Sequence, residues 1–411
     1  MQPTTGASGR GARLALAALG IAASLPANAV FNDWFELWVA ENVTHDTNVF
    51  RLSDSLDASS VGVTRGRADT IFSTYLGAVA NIPVAQQRFE ASYTWNRARY
   101  RTYDHLDYDG HSARAAWTYN LQNKVTGVLS YDEAETLASF STFQVPLKDL
   151  VTVRALRGSA AWLATPRYRV EGRLGAVQTE HSQPVRKVND IESAMADLGL
   201  SYVTPLDNLV GASVRFERGR SPHDTLDLSS PIGVPLPVFN NEYDQWGAGI
   251  TTTWNLTGHS RFDGRLEYIR RHYEIDTHRN YEGPAFRALY RWTPTAKIIV
   301  DVGASREPGP PEEIQTSFVL ITGGYVRPKW QITEKVFLQG NAEYNVWDYH
   351  GDTLTGGDFT HRQRLFGASV QWKPWERIWL QVGANREIRT STLRFGDYET
   401  TVAFIEGRIG F

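Results

Sequence analysis

The chain has 411 residues, no cysteine and a formal net charge of −3. The missing thiols exclude disulfides, cysteine catalysis and cysteine-bound metals, and no nucleic-acid partner is expected. A mean hydropathy of −0.36 reads as soluble, yet transmembrane β-barrels give such values because half of every strand faces water. Aromatic residues make up 12% of the chain, which suits interfacial girdles, and arginine supplies 35 of the 42 basic residues.

The amino end has the layout of a secretory signal. Arg10 and Arg13 form a basic start, Ala15 to Leu25 is a short apolar run, and Ala27-Asn28-Ala29 is a small-residue cleavage site. Residues 1–29 are therefore expected to be removed, with cleavage after Ala29. A membrane anchor would need about 20 apolar residues. Neither a twin-arginine pair nor a lipidation cysteine is present, and the mature chain holds no run long enough to span as a helix.

From about residue 30 to Phe411 the sequence alternates at period two. Tyr168, Val170, Gly172, Leu174 and Ala176 alternate with Arg169, Glu171, Arg173 and Gly175. Phe262, Gly264, Leu266 and Tyr268 alternate with Arg261, Asp263, Arg265 and Glu267. The same holds around Ile298–Ser305, Val336–Val346 and Ile378–Asn385. One apolar face with a charged reverse is the pattern of a strand that meets lipid on one side and water on the other. About eighteen such segments fit the chain, an even number as bacterial barrels require. They begin near residues 35, 70, 88, 109, 125, 151, 167, 191 and 209, then 242, 261, 284, 297, 313, 336, 362, 377 and 398. The expected fold is all-β: one transmembrane antiparallel barrel over residues 30–411, with no second domain.

Tight turns are expected at 82–83, 121–124, 165–166, 205–208, 256–258, 293–294 and 373–374. Long polar loops are expected near 47–66, 137–150, 181–190, 221–240, 276–283, 307–312, 350–361 and 389–397. Short turns belong to the periplasmic side and long loops to the outside, so both termini are expected in the periplasm. Trp117, Trp162, Tyr202, Trp254, Trp292 and Trp372 each precede a tight turn on an apolar face. That places them in one ring at the periplasmic membrane interface.

The chain ends on Thr401-Val-Ala-Phe-Ile-Glu-Gly-Arg-Ile-Gly-Phe411. Ile405, Ile409 and Phe411 share the apolar face. This end resembles the C-terminal signal of bacterial outer-membrane barrels, and the resemblance implies recognition by the barrel-assembly machinery.

Little in the sequence points to an enzyme, and no cofactor or metal is expected. The histidines lie mostly in loops or at strand tips without zinc-like spacing, and no nucleophile motif is present. Asp104, Asp107 and Asp109 form an acidic stretch better read as a solvated loop than as a calcium site. The lumen carries the information. The expected inward set comprises Arg114, Arg157, Arg169, Glu171, Arg173, Arg215, Glu217, Arg261, Asp263, Arg265, Glu267, Arg287, Arg291, Asp301, Glu343 and Arg408. Two readings stand side by side: cross-strand salt-bridge ladders that hold the wall, or rings of charge that set the selectivity of an aqueous channel.

Near the mature start the chain reads Val43-Thr-His-Asp-Thr-Asn-Val-Phe-Arg-Leu-Ser53, then Ala68-Asp-Thr70, Gln86-Gln-Arg-Phe-Glu90 and Leu106-Asp-Tyr108. This order resembles the EpsL-type outer-membrane proteins encoded with exosortase-linked exopolysaccharide clusters, within a broader group of β-barrel porins. The resemblance implies a part in exporting or assembling exopolysaccharide at the outer membrane. The alternatives are a general or solute-specific uptake porin, narrowed by loop 221–240, and a plugged structural barrel. Expected partners are membrane lipid and lipopolysaccharide, the assembly machinery, a polysaccharide substrate and periplasmic export proteins.

Overall fold

The computed structural model describes residues 34–223, 242–274, 277–309, 318–350 and 357–411. The expected signal segment lies outside the described residues, as does nearly all of loop 221–240.

Eighteen strands follow one another as β1 (Phe35–Asp46), β2 (Asp69–Val84), β3 (Gln87–Tyr100), β4 (Tyr108–Leu121), β5 (Val125–Leu137), β6 (Leu150–Thr165), β7 (Tyr168–His181), β8 (Ile191–Val203) and β9 (Leu209–Arg220). The second half is β10 (Tyr243–Thr257), β11 (Ser260–Tyr273), β12 (Tyr281–Thr295), β13 (Ile298–Pro308), β14 (Phe318–Gln331), β15 (Val336–His350), β16 (Phe359–Trp375), β17 (Ile378–Ser391) and β18 (Tyr398–Gly410). Each pairs antiparallel with its sequence neighbour in one 18-stranded sheet. β18 closes on β1 from Trp38 opposite Gly410 to Asp46 opposite Val402. The Phe411 amide adds one more bond, donating to the Leu37 carbonyl at 2.7 Å. Closure removes the sheet edges that would otherwise template aggregation.

The connections after even-numbered strands are tight and those after odd-numbered strands are longer. At 122–123 the turn places Gln122 and Asn123 at φ of 53° and 57°, the left-handed pair whose twist suits a two-residue hairpin. Three expected turns fall elsewhere. Pro83, Pro294 and Pro374 lie inside β2, β12 and β16, and the chain reverses a few residues later. At the last two the register slips between Trp292 and Thr295 and between Trp372 and Trp375. A bulge leaves the proline where no ladder donor is required. A further turn at 332–335 and a loop at 101–107 complete the alternation.

The outer face carries the apolar side chains. Leu174, Leu198, Val214, Ile250 and Val382 are all more than half exposed, which a folded wall tolerates only against lipid. The expected ring of Trp117, Trp162, Tyr202, Trp254, Trp292 and Trp372 is exposed on this face beside the tight turns, joined by Phe89, Tyr168 and Trp330. The molecule is an outer-membrane β-barrel that crosses with strands.

Candidate functional site: the lumen and its mouth

Which face lines the lumen follows from reach. Arg265 on β11 bonds Asp197 on β8 at 2.7 Å, across the intervening β9 and β10. Three strand spacings measure about 14 Å along the wall. Side chains bridge that span only where the wall is concave towards them. Direct cross-strand partners share a face, so the ladder carries this assignment around the barrel. All sixteen residues of the expected inward set fall on the concave face, and Ile405, Ile409 and Phe411 fall on the convex one.

The densest part of the wall lies on β7 to β11. Arg169 meets Glu171 at 2.8 Å, and Arg173 meets Glu171 at 3.3 Å and Asp197 at 3.9 Å. Arg215 reaches Asp197 at 3.6 Å and Glu267 at 3.5 Å, while Arg265 reaches Glu267 at 2.8 Å. Four guanidinium groups thus share three carboxylates. Asp197 and Glu267 are the hubs, each with a side chain 3% exposed. Gly249 makes the seat for Glu267: a Cβ there would lie 2.0 Å from the Leu266 carbonyl and 2.7 Å from the Glu267 Cβ. The Nη1 of Arg265 is buried without a hydrogen-bond acceptor, while the Nε atoms of Arg169 and Arg215 are spent on Glu171 and Asp197. The network is therefore over-supplied with donors as well as charge.

The remaining inward residues form smaller pairs. Arg114 and Arg157 share Asp132, and Arg261 meets Asp263 at 2.8 Å. Arg291 meets Asp301 at 2.6 Å, Arg287 pairs with Glu307, and Glu343 with Arg327 at 3.2 Å. Glu217 accepts from the Tyr243 hydroxyl at 2.6 Å. Arg408 meets Glu36 at 2.7 Å and stacks over Trp38. Every arginine in the expected set faces a carboxylate, as the ladder reading requires. The sharing of carboxylates leaves one guanidinium in excess in the β7–β11 network, where the selectivity reading has its footing. The hub Asp197 escaped the sequence reading, together with Asp132, Glu307 and Arg327. Period two contained the signal, because Asp197 alternates with the outward Ala196 and Leu198.

The mouth is narrowed by segments the sequence reading left as open loops. Val49, Phe50, Leu52 and Val63 from the β1–β2 loop pack with Tyr103 and Leu106 from the β3–β4 loop and Phe140 from the β5–β6 loop. Phe50, Leu52 and Leu106 are fully buried. This collar leans across the opening. Arg389 on the inner face of β17 donates to the Ser141 carbonyl at 2.6 Å, although β18 and β1 to β4 lie between β17 and β5. Arg51 pairs with Asp46 at 2.8 Å and with Glu387 at 3.9 Å. Burial opposes its charge, but the two carboxylates outweigh that and hold the guanidinium above its ordinary range. On the other side β14 bends inward. Its Phe318 stacks on the inward Tyr281 of β12 at 4.9 Å, and the Arg271 guanidinium sits over Tyr243 at 4.1 Å.

In the acidic stretch, Asp109 pairs with Arg97 at 2.7 Å and Asp107 with Arg99 at 3.3 Å. Among the described residues no group of three His, Asp or Glu is placed to hold a metal ion.

A polar concave wall within an apolar belt defines an outer-membrane β-barrel. Residues 247–411 match the model of the family described as Putative beta-barrel porin 2. No curated protein matches the chain. Among solved structures the chain is similar to OccAB3 of Acinetobacter baumannii, with 10% identity, 92% of this chain and 100% of that chain covered, and a TM-score of 0.47. It is also similar to OpdK of Pseudomonas aeruginosa crystallised with vanillate, with 9% identity, 92% and 99% covered and a TM-score of 0.48. For a BenF-like porin from Pseudomonas fluorescens Pf-5 the values are 10%, 92%, 99% and 0.46.

Proposed function

We propose that the barrel is a passive conduit for acidic, hydroxyl-rich carbohydrate, with an exopolysaccharide chain as its cargo. The observation that carries this reading is the β7–β11 network, in which four guanidinium groups face three carboxylates. An excess of planar donors in a confined aqueous space attracts carboxylates and offers them paired hydrogen bonds. Sharing among carboxylates keeps each contact weak enough for a chain to slide. Eighteen strands enclose a lumen wide enough for water. The cargo rests on the EpsL-type resemblance.

A second reading is an uptake channel for small acidic solutes. The collar built on Phe50, Leu52, Tyr103 and Leu106 favours it, because an aperture narrowed by packed loops selects by size.

The two readings separate in planar bilayers. Wild-type barrel is expected to prefer anions. Neutralising Arg173 and Arg287, whose side chains are 46% and 58% exposed, should reduce that preference without lowering thermal stability. Acidic oligosaccharides of increasing length should block current more strongly as they lengthen if the cargo is a polymer, and should stop entering beyond a few sugars if it is a small solute. Removing the protein from its cell should reduce secreted polysaccharide in the first case only. A barrel with no conductance and normal polysaccharide export would leave the structural role.

A further inference from the structure

The outward face above the apolar belt is ringed by arginines, and they divide into two kinds. Most face a carboxylate on an adjoining strand: Arg97 meets Asp109 at 2.7 Å, Arg154 meets Glu180 at 2.8 Å, Arg218 meets Asp244 at 3.7 Å and Arg270 meets Glu282 at 3.4 Å. Arg362 and Arg364 on β16 do not. Their cross-strand neighbours are Val346 and Thr390 for the first, Tyr344 and Ile388 for the second. All four are uncharged. Both arginines are exposed, and no described carboxylate lies within 4.0 Å of either.

Their height in the membrane is set by Trp372, which marks the periplasmic interface on the same face of β16. Ten residues separate Trp372 from Arg362. A strand rises about 3.3 Å per residue. At the tilt of a membrane barrel ten residues therefore climb about 25 Å, the height of the apolar band. Arg362 therefore stands at the headgroup level of the outer leaflet, and Arg364, about 5 Å lower by the same rise, reaches that level with its long side chain.

Directly beneath them the wall is hollowed. An open, mainly apolar groove of about 630 Å³ runs along the outer surface of β14 to β18. Its floor is small because Gly340, Ala342, Ala368 and Ala384 occupy neighbouring outward positions, with Val326 and Phe366 as sides. Phe366 is two residues below Arg364 on the same face, so the groove and the unpaired charges form one continuous surface.

We infer that this surface is a binding site for a phosphorylated, multiply acylated lipid of the outer leaflet, a lipopolysaccharide, with phosphate on Arg362 and Arg364 and one acyl chain in the groove. The chemistry is complementary at both ends. Guanidinium groups without carboxylate partners fork onto phosphate oxygens, and a chain laid along small side chains gains close contact along its length.

The test uses the full barrel in detergent with lipopolysaccharide as probe, read by binding titration and by native mass spectrometry of retained lipid. The variant R362Q/R364Q should bind at least about tenfold more weakly, since each charged hydrogen bond is worth about that factor. Dephosphorylated lipid should lose the same factor on wild type and lose nothing further on the variant. Filling the groove with A368F, or with A384L should the first fold poorly, should weaken binding while both arginines remain. Inorganic phosphate should not compete, because it cannot use the groove. Unchanged affinity in R362Q/R364Q would overturn the site, and so would an equal loss in R97Q, which would mark a diffuse charge effect. A wild-type dimer that these substitutions dissociate without altering lipid binding would overturn it too, showing the face to be an interface between copies.

Discussion

The two ends of the barrel solve the same problem differently. At the turn end each pair of strands is joined by a few residues, and the stabilising contacts are aromatic rings set against lipid. At the loop end the connections are long, and the β1–β2, β3–β4 and β5–β6 loops form a core of their own, with Phe50, Leu52 and Leu106 fully buried. The turn end is local: each hairpin needs only its own sequence. The loop end is cooperative, because Ser141 is held by Arg389 across five strands. One end can therefore be altered piecemeal, whereas the other should respond as a unit.

The largest effect is expected from breaking the collar. Phe50→Ala should cost the collar about 3–5 kcal/mol, the usual penalty for emptying an aromatic site in a packed core. The strands are held by their own ladder, so the loss should appear as an open mouth. Single-channel conductance should rise and protease should cut within 47–68, while the heat-modifiable gel shift of the folded barrel persists. Unchanged conductance would mean that the collar does not set the aperture.

Next comes Asp197→Asn, which removes the carboxylate shared by Arg173, Arg215 and Arg265. Leaving buried charge unpaired costs about 3 kcal/mol or more, though water in the lumen lowers this. A fall in thermal midpoint together with a stronger anion preference is expected. A lower midpoint with unchanged reversal potential would make the network purely structural.

At the turn end Ile409→Asp places charge on the lipid face near the interface, where the cost is about 1 kcal/mol or less. The effect should appear in assembly instead. Deleting Phe411 removes both an apolar tip and the amide bond to Leu37. The amount of barrel recovered in outer-membrane fractions should fall, with the folded remainder melting near the wild-type temperature. Wild-type recovery would argue against recognition of this end.

The smallest effect is expected at Arg291→Gln. Its partner Asp301 lies 2.6 Å away, but the two side chains are 47% and 34% exposed. Pairs so open to solvent contribute about 0–1 kcal/mol. A shift as large as that of Asp197→Asn would show that isolation from the network does not weaken a lumenal pair.

Period two, repeated along the chain, determined the strand count, the inward and outward faces and the orientation. These are local properties. A residue's face depends only on its parity within a strand, and a turn's side depends on the lengths of its neighbours, so Arg169, Glu171 and Arg265 could be placed inside before any contact was known. Parity also placed Trp117 and Trp372 outside. It failed where proline was read as a turn, because Pro294 and Pro374 sit at bulges whose slip is decided by the partner strand.

Tertiary structure alone decided who pairs with whom. Arg265 finds Asp197 because the wall curves, and curvature comes from closing the sheet, which no single strand encodes. The collar has the same origin. Phe50, Tyr103 and Phe140 belong to three polar loops with no common pattern, and only closure brings those loops over one mouth. The groove beneath Arg364 likewise needs small residues from neighbouring strands to fall at one height. That alignment depends on register, and register is fixed only when the barrel is complete.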